Sequence, residues 1–222
     1  MRYHSAFEII GPIMVGPSSS HTAGAVRIGN LARQLLDDEP IQVHFTLMGS
    51  FAQTYQGHGT DVALIAGVLG FTTDDPRITD AFSLASDRGL HVQFAKANFG
   101  FFHPNTVSIN IEGRKRQSQL IASSLGGGKA EVQEMEGLPL KLTGERPTLI
   151  IDHHDRPGFL AKISGLLSQE GYNIVRMMVE RVEKSGKAIT VCELDEVPNP
   201  STLANLRTFA DVVEQVRLVY VV

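Results

Sequence analysis

Thr148-Leu149-Ile150-Ile151-Asp152-His153-His154-Asp155-Arg156-Pro157-Gly158 changes character twice within eleven residues. Its first part is apolar and β-branched, as a short strand requires, and predicts a strand over Thr148–His153. A polar loop follows, punctuated by Pro157 and Gly158. Beyond it Phe159, Leu160, Ile163, Leu166 and Leu167 recur at helical spacing, which predicts an amphipathic helix over Gly158–Gln169. Gly171 stands where a glycine ends a helix. Strands are then expected at Asn173–Val182 and Lys187–Leu194, with Glu183-Lys184-Ser185-Gly186 as the hairpin turn between them. The proline-bracketed Pro198-Asn199-Pro200-Ser201 opens a second helix through about Phe209, and Val212–Val222 makes the last strand. The order β-α-β-β-α-β is a split βαβ unit of the ferredoxin-like kind. The loop over Asp152–Gly158 suits a small carboxylate or amine. It suits equally a plain strand-to-helix turn with Pro157 at the first helical position.

Upstream, Leu138–Pro147 carries two prolines and a glycine and reads as a connector. This places an N-terminal domain at 1–140, a linker at 141–147 and a C-terminal domain at 148–222. In the N-terminal half a short helix is expected over Ser5–Ile10, a strand over Ile41–Met48 and a helix over Thr60–Leu69. Further strands are expected at Leu90–Lys96, Thr106–Glu112, Gln117–Ser123 and Lys129–Glu134. The mixture is that of an α+β domain with a largely antiparallel sheet.

That half holds the chemistry. Gly16-Pro17-Ser18-Ser19-Ser20-His21-Thr22-Ala23-Gly24 packs three serines, a histidine and a threonine between glycines. A helix-periodic run follows: Val26, Ile28, Leu31, Ala32, Leu35 and Leu36. Unpaired N–H groups and the dipole at a helix start favour an anion. A single capping hydroxyl would satisfy the helix, and three serines with a histidine exceed that need. Two more loops repeat the composition: Gly57-His58-Gly59-Thr60-Asp61 and His103-Pro104-Asn105-Thr106. A fourth, Ser123-Ser124-Leu125-Gly126-Gly127-Gly128, has hydroxyls and glycines without histidine. Histidines move protons or bind carboxylates. Nothing here has the spacing of a zinc site, a phosphate-binding loop, a dinucleotide fingerprint or a nucleophile elbow. Ser20 and His21 are adjacent, and adjacent side chains do not usually face each other, which speaks against a nucleophilic pair.

Of the 222 residues 42% are hydrophobic and 20% charged, the profile of an ordinary globular protein. A net charge of −4 excludes the basic footprint of a nucleic-acid binder, and Arg114-Lys115-Arg116 reads as a solvated turn. There is no apolar run long enough for a transmembrane helix and no apolar leader at Met1-Arg2-Tyr3-His4-Ser5, so a cytoplasmic location without membrane contact is expected. The single cysteine, Cys192, allows no intrachain disulfide and fits a reducing compartment.

With these motifs in hand, the N-terminal half resembles the β subunit of iron–sulfur-dependent L-serine dehydratase, and the C-terminal half resembles an ACT domain, with Asp155-Arg156-Pro157-Gly158 matching its ligand loop. The family's first domain is related to an allosteric substrate-binding domain of some phosphoglycerate dehydrogenases. The resemblance implies conversion of L-serine to pyruvate and ammonia, with a [4Fe–4S] cluster whose open iron acts as a Lewis acid. It implies catalytic histidines among His21, His58 and His103. It implies substrate binding by Ser18, Ser19, Ser20, His21, Thr22, Gly59, Thr60, Asp61, Asn105 and Gly127. It implies an ACT ligand loop of His154, Asp155, Pro157 and Gly158. A cluster with an open iron needs three thiolates and this chain has one, so no metal site is expected here and the cysteines are expected on a separate α subunit. Self-association through the ACT domain is expected as well. Two other classes fit the residues: a non-catalytic amino-acid sensor, in which the ACT module serves another protein, and a stand-alone hydrolase.

Overall fold

A computed structural model of the chain describes residues 11–98, 100, 102–209 and 211–221. The helix expected over Ser5–Ile10 lies outside the described residues. Contacts divide the chain into two compact units, residues 1–137 and 138–222, and residues 138–142 at the boundary form the last strand of the first sheet.

The first unit begins with Ser18, which caps a single π-helical turn over Ser19–Ala23 that runs directly into helix α1, Gly24–Leu36. Every apolar residue of the periodic run from Val26 to Leu36 is buried. Strand β1 is Pro40–Met48. Three short elements follow to which no expectation was attached: helix α2, Gly49–Thr54, and, beyond helix α3 (Thr60–Val68), a 3-10 turn at Pro76–Asp80 leading into helix α4, Ala81–Asp87. Strands β2 (His91–Lys96), β3 (Asn105–Gly113), β4 (Gln117–Gly126), β5 (Lys129–Met135) and β6 (Leu138–Leu142) complete a six-stranded sheet of order β2-β1-β3-β4-β5-β6. The pairs β1–β3, β3–β4 and β4–β5 are antiparallel. β1 and β2 are parallel, which is possible because three helices intervene as the crossover a parallel pair requires.

Helix α1 packs on β3, β4 and β5 and against α3. The two helices meet at Gly29 and Gly67. A Cβ built on Gly29 would stand 2.3 Å from the Leu64 carbonyl oxygen, and one on Gly67 2.1 Å from that of Val26. Only glycine permits this approach. It lets α3, buried from Ala63 to Val68, sit in the centre of the unit.

Leu138–Leu142 is a strand, where a connector was expected from its prolines. Leu138, Leu140 and Leu142 are buried while Pro139 and Lys141 are exposed, the period-two pattern of a half-buried strand. β6 stands at the end of the sheet order, and an edge strand tolerates a proline because it has a side with no ladder bond to donate.

The second unit follows the expected order: β7 (Thr148–His154), α5 (Phe159–Gln169), β8 (Ile174–Arg181), β9 (Lys187–Leu194), α6 (Pro200–Arg207) and β10 (Val213–Val219). Its sheet has the order β10-β7-β9-β8 with every neighbouring pair antiparallel, the ferredoxin-like arrangement. Leu149, Ile151, Cys192, Leu194 and Val216 of the sheet pack with Phe159, Ile163, Leu167 and Leu206 of the helices. The protein is thus α+β with two sheets. Among the described residues no helix is long and apolar enough to cross a membrane.

Candidate active site

His21 organises the first unit's loops. It projects from the π-helical turn and is 8% exposed. Its Nδ1 lies 3.1 Å from Ser20 Oγ and its Nε2 3.2 Å from Ser50 Oγ. The short serine side chain curls back to the near ring nitrogen, so Ser20 and His21 do face each other, contrary to the expectation for adjacent residues. Ser18 spends its hydroxyl locally, accepting the His21 backbone N–H at 3.3 Å. The plain capping role therefore accounts for Ser18, whose oxygen also lies 3.3 Å from Ser20 Oγ. Burial holds the His21 pKa below its ordinary value, and the neighbouring His58 adds to the effect. Either ring nitrogen can carry the single proton of neutral His21, because a hydroxyl on each side can donate or accept.

The second loop reaches the same place. The His58 ring stands edge-on to His21 with centroids 4.8 Å apart, and its backbone oxygen accepts from Thr22 Oγ1 at 3.5 Å. His58 itself is exposed. Gly59 takes a left-handed φ of 65° and sets the start of α3, where Thr60 is fully buried with no hydrogen-bond partner for its hydroxyl. Asp61 accepts from the Val62 N–H at 2.9 Å, and burial raises its pKa.

The third loop is tied in through Ser50, whose backbone N–H donates to the Pro104 carbonyl at 2.8 Å. Within that loop the Asn105 N–H donates to His103 Nδ1 at 3.2 Å. An N–H needs a lone pair to receive it, so neutral His103 carries its proton on Nε2. Burial lowers the His103 pKa too, which keeps that tautomer in place. The glycine loop adjoins the serines from the other side. Ser124 is fully buried against Gly24, the Gly128 carbonyl accepts from Arg27 at 3.0 Å, and Gly11 stands near both Ser19 and Gly127.

The four loops singled out in the sequence therefore converge. Ser50 completes them and was missed, since it has no histidine beside it and meets His21 across 29 residues of chain. Its one sequence signal is the Gly49-Ser50 pair at the end of a strand, the same glycine-hydroxyl composition as the other loops.

Against this geometry the comparisons are decisive. A model of the family described as "Serine dehydratase beta chain" matches residues 5–86. The "Probable L-serine dehydratase, beta chain" of Bacillus subtilis is 39% identical over 218 residues, 98% of this chain and 99% of the relative. The chain belongs to the L-serine dehydratase β-chain family. A second member, the "L-serine dehydratase, beta chain" of Peptoniphilus asaccharolyticus, is 40% identical over 198 residues, covering 88% of this chain and 89% of its own. The "D-3-phosphoglycerate dehydrogenase" of Methanocaldococcus jannaschii is 23% identical across 85% of the chain and 36% of its own length. An ACT-domain model matches residues 147–211, so the second unit of this β chain is an ACT domain.

In that ACT domain the loop after β7 is held by its own side chains. Asp155 pairs with Arg181 and accepts from the Ser185 N–H at 3.3 Å, and these bonds, Arg181 first, lower its pKa. His154 stands 3.3 Å from Glu214. Pro157 and Arg156 line a cleft with Lys162, Phe209 and Val212, while Gly158 opens α5 at a φ of 84°.

The residues of this chain do not fit the iron–sulfur cluster that the sequence resemblance implies. Its one thiol, Cys192, is fully buried in β9, and burial pushes its pKa up to about 12. A thiol so protonated is a packing residue, not a ligand. Among the described residues no group of three or more His, Cys, Asp and Glu side chains is placed to hold a metal ion.

Proposed function

We propose that this chain is the β subunit of an L-serine dehydratase and supplies the substrate-holding and proton-handling loops for loss of water from L-serine to give pyruvate and ammonia. The observation that carries the reading is the convergence of the Ser18–Thr22 turn, Ser50, His58 and the His103 loop, in a chain of this family. The hydroxyls of Ser19, Ser20 and Thr22 at the helix start suit the substrate carboxylate, with Gly59, Thr60, Asp61, Asn105 and Gly127 around it.

The three histidines divide by their surroundings. His103 presents an N–H from Nε2, so it is the group to donate toward a substrate oxygen. The α-proton then goes to the adjoining pair His21 and His58. His21 is kept neutral by burial, as a base working near pH 7 must be. It can also release one proton to a serine while taking another. Since this chain lacks the ligands for a [4Fe–4S] cluster, the reading places that cluster on a cysteine-bearing α subunit. The ACT domain is read as a regulatory module that self-associates and takes its ligand at His154, Asp155, Pro157 and Gly158. One buried thiol and no membrane-crossing helix among the described residues fit a cytoplasmic protein.

The test is anaerobic expression of this chain with and without the cysteine-bearing chain. Serine-dependent pyruvate formation by the iron-loaded complex, and none by the colourless chain alone, is the expected result. Activity of the lone chain without iron overturns the two-subunit reading. Serine binding without dehydratase activity in any complex replaces it with the amino-acid sensor.

A further inference from the structure

Behind the His103 loop lies a row of polar side chains that the reaction does not use. Thr106, Ser123 and Glu131 are register partners across β3, β4 and β5, and Gln133 stands two residues further along β5. Thr106 and Ser123 are both fully buried. The Thr106 hydroxyl donates to the His103 carbonyl at 2.5 Å and lies 2.5 Å from Ser123 Oγ. Ser123 Oγ in turn donates to Gln133 Oε1 at 2.7 Å, and Gln133 Nε2 donates to Glu131 Oε1 at 3.5 Å. Valine at 106 and alanine at 123 would fill the same space without the desolvation that a buried hydroxyl suffers. A polar row kept at such a position has a partner to hold, and the partner at its end is the backbone of His103.

We propose that Thr106, Ser123 and Gln133 are positioning residues for His103; this rests on the serine dehydratase reading above. The His103 carbonyl can only accept, so the Thr106 proton goes to it. The single Ser123 proton lies between two acceptors, Thr106 Oγ1 and Gln133 Oε1. Glu131 can only accept, so it takes the Gln133 N–H and turns the amide oxygen toward Ser123. The row thus runs from the His103 carbonyl through two hydroxyls to the Gln133 amide and is anchored at Glu131. From the next carbonyl, that of Pro104, the Ser50 N–H carries the linkage on to the hydroxyl beside His21. Together with the Asn105 N–H on Nδ1, the row fixes His103 at its backbone and at its ring.

The experiment is steady-state kinetics of the complex with the cysteine-bearing chain, wild type beside Thr106→Val, Thr106→Ser and Gln133→Glu, over a range of pH. A displaced catalytic group lowers kcat while ground-state binding survives. Thr106→Val should lose roughly tenfold or more in kcat with KM changed less than about threefold, and should shift the pH profile of kcat. Thr106→Ser keeps the hydroxyl and should restore kcat to within about threefold of wild type. Gln133→Glu, at the half-buried end, removes the N–H that Glu131 accepts and sets a second carboxylate against it, and should show the same loss. Should Thr106→Val fail to assemble, Gln133→Glu decides alone. Wild-type kcat and pH profile in Gln133→Glu, or in an assembled Thr106→Val, overturn the proposal, as does an equal loss in Thr106→Ser. A wild-type complex without lyase activity overturns instead the reading on which the row's role rests.

Discussion

His21, His103 and His153 are all neutral by burial, and this ties the protein's stability to pH. His153 belongs to the ACT domain: its Nδ1 donates to the His154 carbonyl at 3.0 Å, its Nε2 accepts from Thr190 at 2.8 Å, and Phe159 stacks on it at 3.7 Å. Desolvation lowers all three pKa values from the ordinary 6.5. In the unfolded chain these rings take up protons as pH falls through 6.5, while in the folded chain they do so only at lower pH. The unfolded state then binds more protons, so stability falls on acidification and levels off above the unfolded value. The thermal midpoint should be flat above about pH 7.5 and decline toward about pH 5, and His153→Gln should reduce that slope. A midpoint independent of pH over this range contradicts the assignment. At this scale the sequence was legible where one segment contains its own chemistry, as at Ser18–Thr22. It was silent on Ser50, Thr106 and Gln133, whose roles arise from contacts made far along the chain.

Among elements, the crossing of α1 and α3 decides whether the loops meet, because one helix begins at the serine turn and the other at His58–Gly59. Replacing Gly29 or Gly67 by alanine would gain about 1 kcal/mol of helix propensity. The new methyl would meet backbone of the facing helix, at 2.3 Å for Gly29 and 2.1 Å for Gly67, where no flexible side chain can yield. Overpacking of this kind costs about 1–3 kcal/mol and outweighs the gain. Either substitution should lower the midpoint of chemical unfolding, and Gly29→Val more than Gly29→Ala. Unchanged or raised stability in Gly29→Ala would show that the helices can separate freely. Most elements were readable because their apolar residues keep one period, as in α1, β9 and α5. β6 was hidden by Pro139, which matters less at a sheet edge than inside one. The short α2 and α4 were lost because six or seven residues hold too few apolar positions to show a helical period.

For the whole molecule, the question is what the ACT domain adds to a unit that already gathers the histidines. Its order of elements was legible almost residue by residue, since each strand and helix is bounded by proline, glycine or a polar turn. What it binds is not written in that pattern. The Asp155 loop is closed on itself by Arg181 and the Ser185 amide, so a ligand must either use that closed loop or open it. Ligand-linked regulation typically amounts to about 1–3 kcal/mol, a roughly 5- to 150-fold change in affinity. A chain ending after Gly144 retains β6 and lacks the second sheet. Assembled with the cysteine-bearing chain, it should still form pyruvate, but differ from the full chain in serine KM, in oligomeric size by light scattering, and in its response to added amino acids or monovalent cations. Asp155→Ala in the full chain should alter the response alone, because it frees the loop and leaves the sheet intact. If the shortened complex matches the full one in all three measurements, the ACT domain does not regulate this enzyme, and its place in the chain is structural.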